Sequence, residues 1–161
     1  MTKPLIMVVD DEREYTEKIA NVIKSVNKYE VITAYSAKSA FIQLKKHRQL
    51  FGIFNNRVRL ILLDINMPDM DGLTFLEEMR RKYCGEKIGV IMVTAYEDED
   101  KWDKATSNFV VGYITKPFDP ELLLSMIDRF FSHEEAYVDM TIEVFDKHLE
   151  KMEESKTQPK T

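Results

Sequence analysis

Five positions in this chain have side chains suited to chemistry: Asp10-Asp11, Asp64, Thr94 and Lys116. Each ends a short apolar run. Ile6-Met7-Val8-Val9 leads into Asp10-Asp11, and Leu60-Ile61-Leu62-Leu63 into Asp64. Val90-Ile91-Met92-Val93 leads into Thr94, and the run from Val110 to Thr115 into Lys116-Pro117. Runs of this length between polar turns predict buried parallel strands. In open parallel sheets, ligands sit beyond the carboxyl ends of the strands. Three acids, a hydroxyl and an ammonium are therefore expected to converge. Such a cluster fits a divalent cation and a phosphoryl group on a carboxylate. Mg²⁺ takes oxygen ligands and relieves the repulsion among the acids. A carboxylate can attack phosphorus to give an aspartyl phosphate. Mg²⁺ and Lys116 can neutralise the transferring group from two sides, and the Thr94 hydroxyl can donate to a phosphoryl oxygen. The small Ala95 leaves the phosphorus accessible.

Singly, these signals have plainer readings. An acid pair after a strand can cap the next helix, threonine is common at strand ends, and Lys-Pro can be punctuation. The joint pattern at four strand ends is what carries the site.

The elements that must position these residues alternate. Helical spacing of Tyr15, Ile19, Val22, Ile23 and Val26 predicts a helix over about 12–27. Residues 29–35 read as a second strand, and Ser36 as the N-cap of a second helix. Asp71-Gly72 opens a third. Residues 88–93 form the fourth strand, 97–107 an acidic helix, and 110–115 the fifth strand. Asp119 caps a fifth helix with Pro120 in its first turn. The expected fold is an α/β, doubly wound parallel sheet with right-handed crossovers.

The 161 residues make one domain with an appendage, and 44% are apolar, enough for a core. A net charge of −5 argues against nucleic acid. The one basic cluster, Lys45-Lys46-His47-Arg48, reads as a solvated helix end. Cys84 is the sole cysteine, so no intramolecular disulfide forms and a reducing compartment is expected. No apolar stretch reaches membrane-span length. The first strand starts at once, with no room for a signal peptide. The expectation is a cytoplasmic protein.

Two segments exceed a minimal five-unit fold. Residues 49–57 contain Phe51, Ile53 and Phe54 around Gly52. They read as a longer helix end and loop packing on its own aromatics, or as a partner-docking lobe. Residues 132–154 read as an amphipathic helical extension and 155–161 as a disordered tail. In that extension Val138, Ile142, Phe145, Leu149 and Met152 recur at alternating four- and three-residue steps, a heptad-like seam. The stripe should be buried, either on its own domain or in a homodimer through residues 131–152.

The chain resembles the receiver domain of two-component response regulators, in its stand-alone, chemotaxis-regulator-like form. The resemblance rests on Val8-Val9-Asp10-Asp11-Glu12, on Leu62-Leu63-Asp64-Ile65-Asn66-Met67-Pro68-Asp69-Met70-Asp71-Gly72, on Val93-Thr94-Ala95 and on Tyr113-Ile114-Thr115-Lys116-Pro117-Phe118. It spans about residues 3–131, which makes residues 1–131 the receiver domain. It implies a flavodoxin-like (βα)5 sheet of order 2-1-3-4-5, here with an extra C-terminal helix. It implies Asp64 as acceptor of a phosphoryl group from a histidine kinase or histidine phosphotransfer protein, with output to a downstream target protein. It implies Mg²⁺ held by Asp10, Asp11, Asp64 and the Asn66 backbone carbonyl, Lys116 on the phosphoryl group, and a cis Pro117. Catalysis would be confined to the domain's own phosphorylation and dephosphorylation, so the chain is not an enzyme in the ordinary sense.

The resemblance also implies a switch in which Thr94 moves toward the phosphoryl group and Tyr113 turns inward, changing the surface of the fourth helix, fifth strand and fifth helix. Three features depart from the family pattern. Phe109 and Val110-Val111 replace a small, often glycine-bearing turn. Tyr96 is bulky and predicts slow dephosphorylation by screening water. Residues 49–57 are expanded. Two other readings are a phosphorylation-independent binding module and the front of a longer regulator that uses the last helix as a dimer linker. The intact acids, Thr94 and Lys116 argue against the former.

Overall fold

The computed structural model describes residues 2–48, 56–95 and 99–157. Its strands are β1 (Leu5–Val9), β2 (Glu30–Ala34), β3 (Val58–Leu63), β4 (Gly89–Thr94) and β5 (Gly112–Thr115). Its helices are α1 (Arg13–Ser25), α2 (Ala37–Lys46), α3 (Gly72–Lys82), α4 (Glu99–Ser107), α5 (Pro120–Phe130) and α6 (Ala136–Thr157). All five strands are parallel, in the order β2-β1-β3-β4-β5. This is the expected flavodoxin-like sheet with an extra C-terminal helix.

The central strands are apolar throughout because both of their faces are covered. Met7, Val9, Ile61 and Leu63 join Leu44, Phe75, Leu76 and Met79 on the α2–α3–α4 side. Ile6, Val8, Leu60 and Leu62 join Ile19, Ile23, Leu123 and Ile127 on the α1–α5 side. Successive side chains of one strand thus feed two separate cores. The edge strand β2 is only partly buried.

Local chemistry starts each helix where it is needed. Ser36 and Ser39 form a reciprocal capping box at α2, the Ser36 side chain accepting from the Ser39 N–H. Asp71 accepts from the Thr74 N–H at 2.8 Å to cap α3. Asp119 caps α5, with Pro120 in its first turn.

Gly72 shows why the third helix opens on glycine. A Cβ there would lie 2.0 Å from the backbone carbonyl oxygen of Asp64. The Gly72 N–H donates to the Ile65 carbonyl at 2.8 Å. A side chain would push α3 off the end of β3, and with it the backbone that presents Asp64. Gly72→Ala should cost about 2–3 kcal/mol; the midpoint of denaturant unfolding reads the loss. A change within about 0.5 kcal/mol would mean that the α3 start has room to move.

Several boundaries differ from the sequence expectation. Val110 and Val111 are buried lead-in residues outside β5, although the Val111 N–H still donates to Val90 at 2.8 Å. Phe109 adopts φ 56°, the left-handed conformation that favours glycine, with its ring 59% exposed. The Arg80 guanidinium braces this turn, donating to the carbonyls of Ile88, Asn108 and Phe109. That brace is how the turn forms without the expected glycine.

The C-terminal helix runs through Thr157, beyond the expected end at 154, so residues 155–157 are helical and not a disordered tail. Residues 158–161, residues 49–55 and Tyr96 lie outside the described residues. Arg48, just before the 49–57 segment, is joined to Asn56 near its end by an antiparallel bridge. Buried Asn56 ties α2 to β3, donating to the Leu44 carbonyl at 2.8 Å and accepting from the Val58 N–H at 3.0 Å.

The heptad-like seam is also a correction to the expectation of burial on its own domain. Val138, Ile142, Phe145, Leu149 and Met152 are 38–53% exposed. The helix packs through a different stripe, with Ala136 and Met140 buried and Tyr137 and Val144 partly so. Its neighbours are α4, α5 and β5.

Candidate acidic site at the strand ends

Strand register brings the site residues to one rim. Val9 pairs with both Ala34 and Leu63, and Thr94 with Thr115. The ladder continues into the site residues themselves. The Asp64 N–H donates to the Val9 carbonyl at 2.9 Å, and the Lys116 N–H to the Thr94 carbonyl at 2.9 Å. The Asp10 N–H donates to Ala34 at 3.2 Å. Each residue is held by the sheet, so its side chain leaves from a fixed point.

Asp10, Asp64 and Thr94 are each at least 96% buried. Asp10, Asp11 and Asp64 each offer a carboxylate oxygen, all within 4.8 Å of one another. The Lys116 ammonium lies 2.6 Å from Asp10, 3.4 Å from Asp64 and 3.3 Å from Glu12. It also sits 4.5 Å from the centre of the Tyr15 ring. The Lys116–Pro117 bond is cis, as the resemblance implied. Asn66 is exposed in the turn after β3, where its backbone N–H bonds to Asp64 and its side chain accepts from Lys101 at 3.3 Å.

The charges do not balance. Burial raises the Asp64 carboxyl above its ordinary value, the Asp10 charge adds to the rise, and Lys116 opposes it. Burial also raises Asp10, against the pull of Lys116 and the Glu12 N–H. Burial alone would lower Lys116, but Asp10, Asp64 and Glu12 outweigh it and the net shift is upward. Burial thus penalises both carboxylates, while the acids around Lys116 hold its charge in place. An oxygen-seeking divalent cation fits such a donor set.

The helix-capping reading of the acid pair is not realised: the N-cap of α1 is Glu12, with no side-chain cap bond. Asp10 accepts from the Glu12 N–H at 2.9 Å through one oxygen, and its other oxygen faces Lys116. Glu12, Tyr15 and Gly72 also shape the site; Glu12 and Gly72 stand in the motifs quoted above, but the sequence assigned none of the three a place in the site. Glu12 and Tyr15 are read as ordinary helix residues until Lys116 is placed beside them.

Tyr113, the candidate switch ring, is half-buried beside α4. It stacks on Trp102 with centroids 4.0 Å apart and planes 4° from parallel. Its hydroxyl lies 3.2 Å from the Thr106 hydroxyl and donates to the Trp102 carbonyl at 3.2 Å. Burial, with a smaller push from Asp103 and against the Thr106 hydrogen bond, raises its pKa to about 12. It is therefore a neutral hydrogen-bonding ring across the physiological range. Among the described residues, no helix is long and apolar enough to cross a membrane.

The family model for the response regulator receiver domain matches residues 6–128. The chemotaxis protein CheY homolog of Campylobacter jejuni is 28% identical over 123 residues, covering 76% of this chain and 88% of that protein. The transcriptional regulatory protein KdpE of Staphylococcus aureus is 29% identical over 140 residues, but the chain spans only 55% of its length. The chain spans 8% of hybrid signal transduction histidine kinase D of Dictyostelium discoideum, at 28% identity over 134 residues. Among solved structures, Vibrio cholerae chemotaxis protein CheY4 superposes with a TM-score of 0.68 at 25% identity, covering 80% of this chain and 98% of that one.

Proposed function

From the chain's membership of the response regulator receiver domain family, we propose that Asp64 accepts a phosphoryl group from a partner histidine. The chain then signals by a phosphorylation-dependent change in its protein contacts. The observation that carries this reading is the Lys116 ammonium, buried between Asp10 and Asp64 at 2.6 and 3.4 Å on the rim that also holds Asp11 and Thr94. A buried ion pair is weak evidence for stability, and titratable groups crowded in a pocket mark candidate functional sites.

The roles follow from position. An Asp64 carboxylate oxygen attacks the phosphorus of a phosphohistidine. The P–O bond forms as the P–N bond breaks, and the leaving imidazole takes a proton from water. Lys116 neutralises charge on the equatorial oxygens, and the Thr94 hydroxyl donates to one of them. Asp10, Asp11, Asp64 and the Asn66 carbonyl would hold Mg²⁺, which when bound supplies further neutralisation of the phosphoryl oxygens. Water later hydrolyses the acyl phosphate, so catalysis is confined to the domain itself.

The donor is a histidine kinase or a histidine phosphotransfer protein, in keeping with relatives that include a hybrid histidine kinase. We place this exchange in the cytoplasm. The test is incubation with acetyl phosphate, read by intact mass. One Mg²⁺-dependent phosphoryl group is expected. A folded, Mg²⁺-binding protein that gains none would leave a phosphorylation-independent binding module.

The exposed α6 stripe supports a second copy of the chain as an additional partner. Five large apolar residues at 3–4 spacing on one face form a seam that two parallel helices share. Acids at Asp139, Asp146 and Glu153 line one flank, and Thr141, His148 and Ser155 the other. A parallel pair sets acid against the flank without acids, whereas an antiparallel pair sets acid against acid. Ile142→Glu together with Leu149→Glu should shift the sedimentation profile from dimer to monomer. A wild-type chain that stays monomeric at high concentration would rule the seam out.

A further inference from the structure

The α6 helix lies across α4, β5 and α5. At its start, Ala136 and Met140 are buried. Beyond Met140, polar contacts join the partly buried Val144. Arg129 on α5 forms a two-bond fork with Glu143. His148 meets Asp103 on α4. The Lys151 ammonium lies 4.2 Å from the centre of the Trp102 ring. Under the helix runs a cleft of about 400 Å³ lined by residues that include Trp102, Gly112, Tyr113, Met126, Met140 and Val144. Trp102, Arg129 and Glu143 stand at the rim of that cleft.

Trp102 links that rim to the switch ring. Tyr113 stacks on the indole at 4.0 Å, and Lys151 sits 4.2 Å from the same centroid. Groups that close to one centroid cannot share a face, so the indole lies between the Tyr113 ring and the α6 ammonium. The Tyr113 hydroxyl also holds α4, through the Trp102 carbonyl and the Thr106 hydroxyl. Asp103, which meets His148, is the next residue along. One ring therefore fixes the stretch of α4 that carries Trp102 and Asp103, which meet Lys151 and His148 of α6.

We propose that the α4–β5–α5 face is an interaction surface occupied in cis by α6, and that the Tyr113 ring position determines whether α6 stays. With Tyr113 against Trp102, Asp103 and the indole are set to receive His148 and Lys151. When the ring leaves, the indole loses its stack, α4 loses two hydrogen bonds, and α6 lifts from the cleft to uncover the face. The trigger rests on the phosphorylation of Asp64 proposed above; the latch itself does not.

Hydrogen exchange of the full chain tests both halves. Trp102→Ala should speed exchange of the α6 amides after Met140 by about tenfold without phosphate, leaving α1 and α2 unchanged. Asp103→Asn combined with Lys151→Ala, both exposed, should do the same. Unchanged α6 protection in the double variant overturns the latch. For the trigger, acetyl phosphate with Mg²⁺ should speed α6 exchange similarly and alter the emission of Trp102, the sole tryptophan. A chain shown by mass to carry the phosphoryl group, yet unchanged in α6 exchange and emission, overturns the trigger while leaving the function intact. A chain that gains no phosphoryl group overturns the trigger together with that function, and the two variants still decide the latch.

Discussion

Asp64→Asn should abolish phosphoryl incorporation and at the same time raise the thermal midpoint of the metal-free protein at pH 7, by about 4 °C. The amide removes one of the acids crowding Lys116 while keeping the side chain's shape. Burial holds the wild-type Asp64 carboxyl above its ordinary value of 3.8. The folded state therefore binds more protons than the unfolded state between 3.8 and the raised value. The stability contributed by protonated Asp64 is complete below 3.8 and is lost as pH rises through the folded value. The advantage of the asparagine variant should vanish at low pH and grow toward neutrality. Mg²⁺ should reverse the order. At one hundred times its dissociation constant it adds about 2.7 kcal/mol to the wild type, and less to a variant lacking one ligand. Calorimetry across pH, with and without Mg²⁺, reads all of this. A variant less stable than wild type in chelator at pH 7 would show that Asp64 is net favourable where it lies.

Lys116→Met should have the opposite sign and a larger size. It keeps an apolar stem beside Tyr15 and removes the one ammonium placed between Asp10 and Asp64. Taking one partner from a buried ion pair costs about 3–5 kcal/mol, because the remaining charges stay buried and unpaired. The metal-free variant should unfold roughly 10 °C below wild type at pH 7. The deficit should shrink as the acids protonate at lower pH, and Mg²⁺ should recover part of it. Phosphoryl transfer should also fall, since the ammonium that neutralises the transferring group is gone. A deficit under about 1 kcal/mol would mean that water reaches these acids freely.

The site was legible in the sequence because each of its residues immediately follows an apolar run, and parallel register converts that adjacency into convergence. Asp10 follows Val9 and Asp64 follows Leu63, and Val9 and Leu63 are paired in the sheet. The capping residues Ser36, Asp71 and Asp119 were legible for a similar reason, since a cap is a local event. The contacts of Glu12, Tyr15 and Gly72 were not, because each is defined by a residue outside its own helix. Gly72 is needed only because the Asp64 carbonyl passes close to it.

The C-terminal helix shows a different limit. Its existence followed from propensity, but its packed face did not follow from hydrophobicity. The strip that receives it presents Trp102, Asp103 and Arg129, so it selects Lys151, His148 and Glu143 around a small apolar contact. The more apolar stripe is left facing out. Counting apolar residues on a helix cannot reveal the polarity of the surface it meets.

The central claim is that four strand ends form one phosphoryl-accepting site at Asp64. Its most direct test is to treat the full chain with acetyl phosphate and Mg²⁺, reduce it with borohydride, and map the peptides by mass. Reduction converts an aspartyl phosphate to homoserine, which marks the acceptor. Homoserine should appear at position 64 alone, and only when Mg²⁺ is present. Label at another carboxylate, or none in a folded chain that binds Mg²⁺, would contradict the assignment.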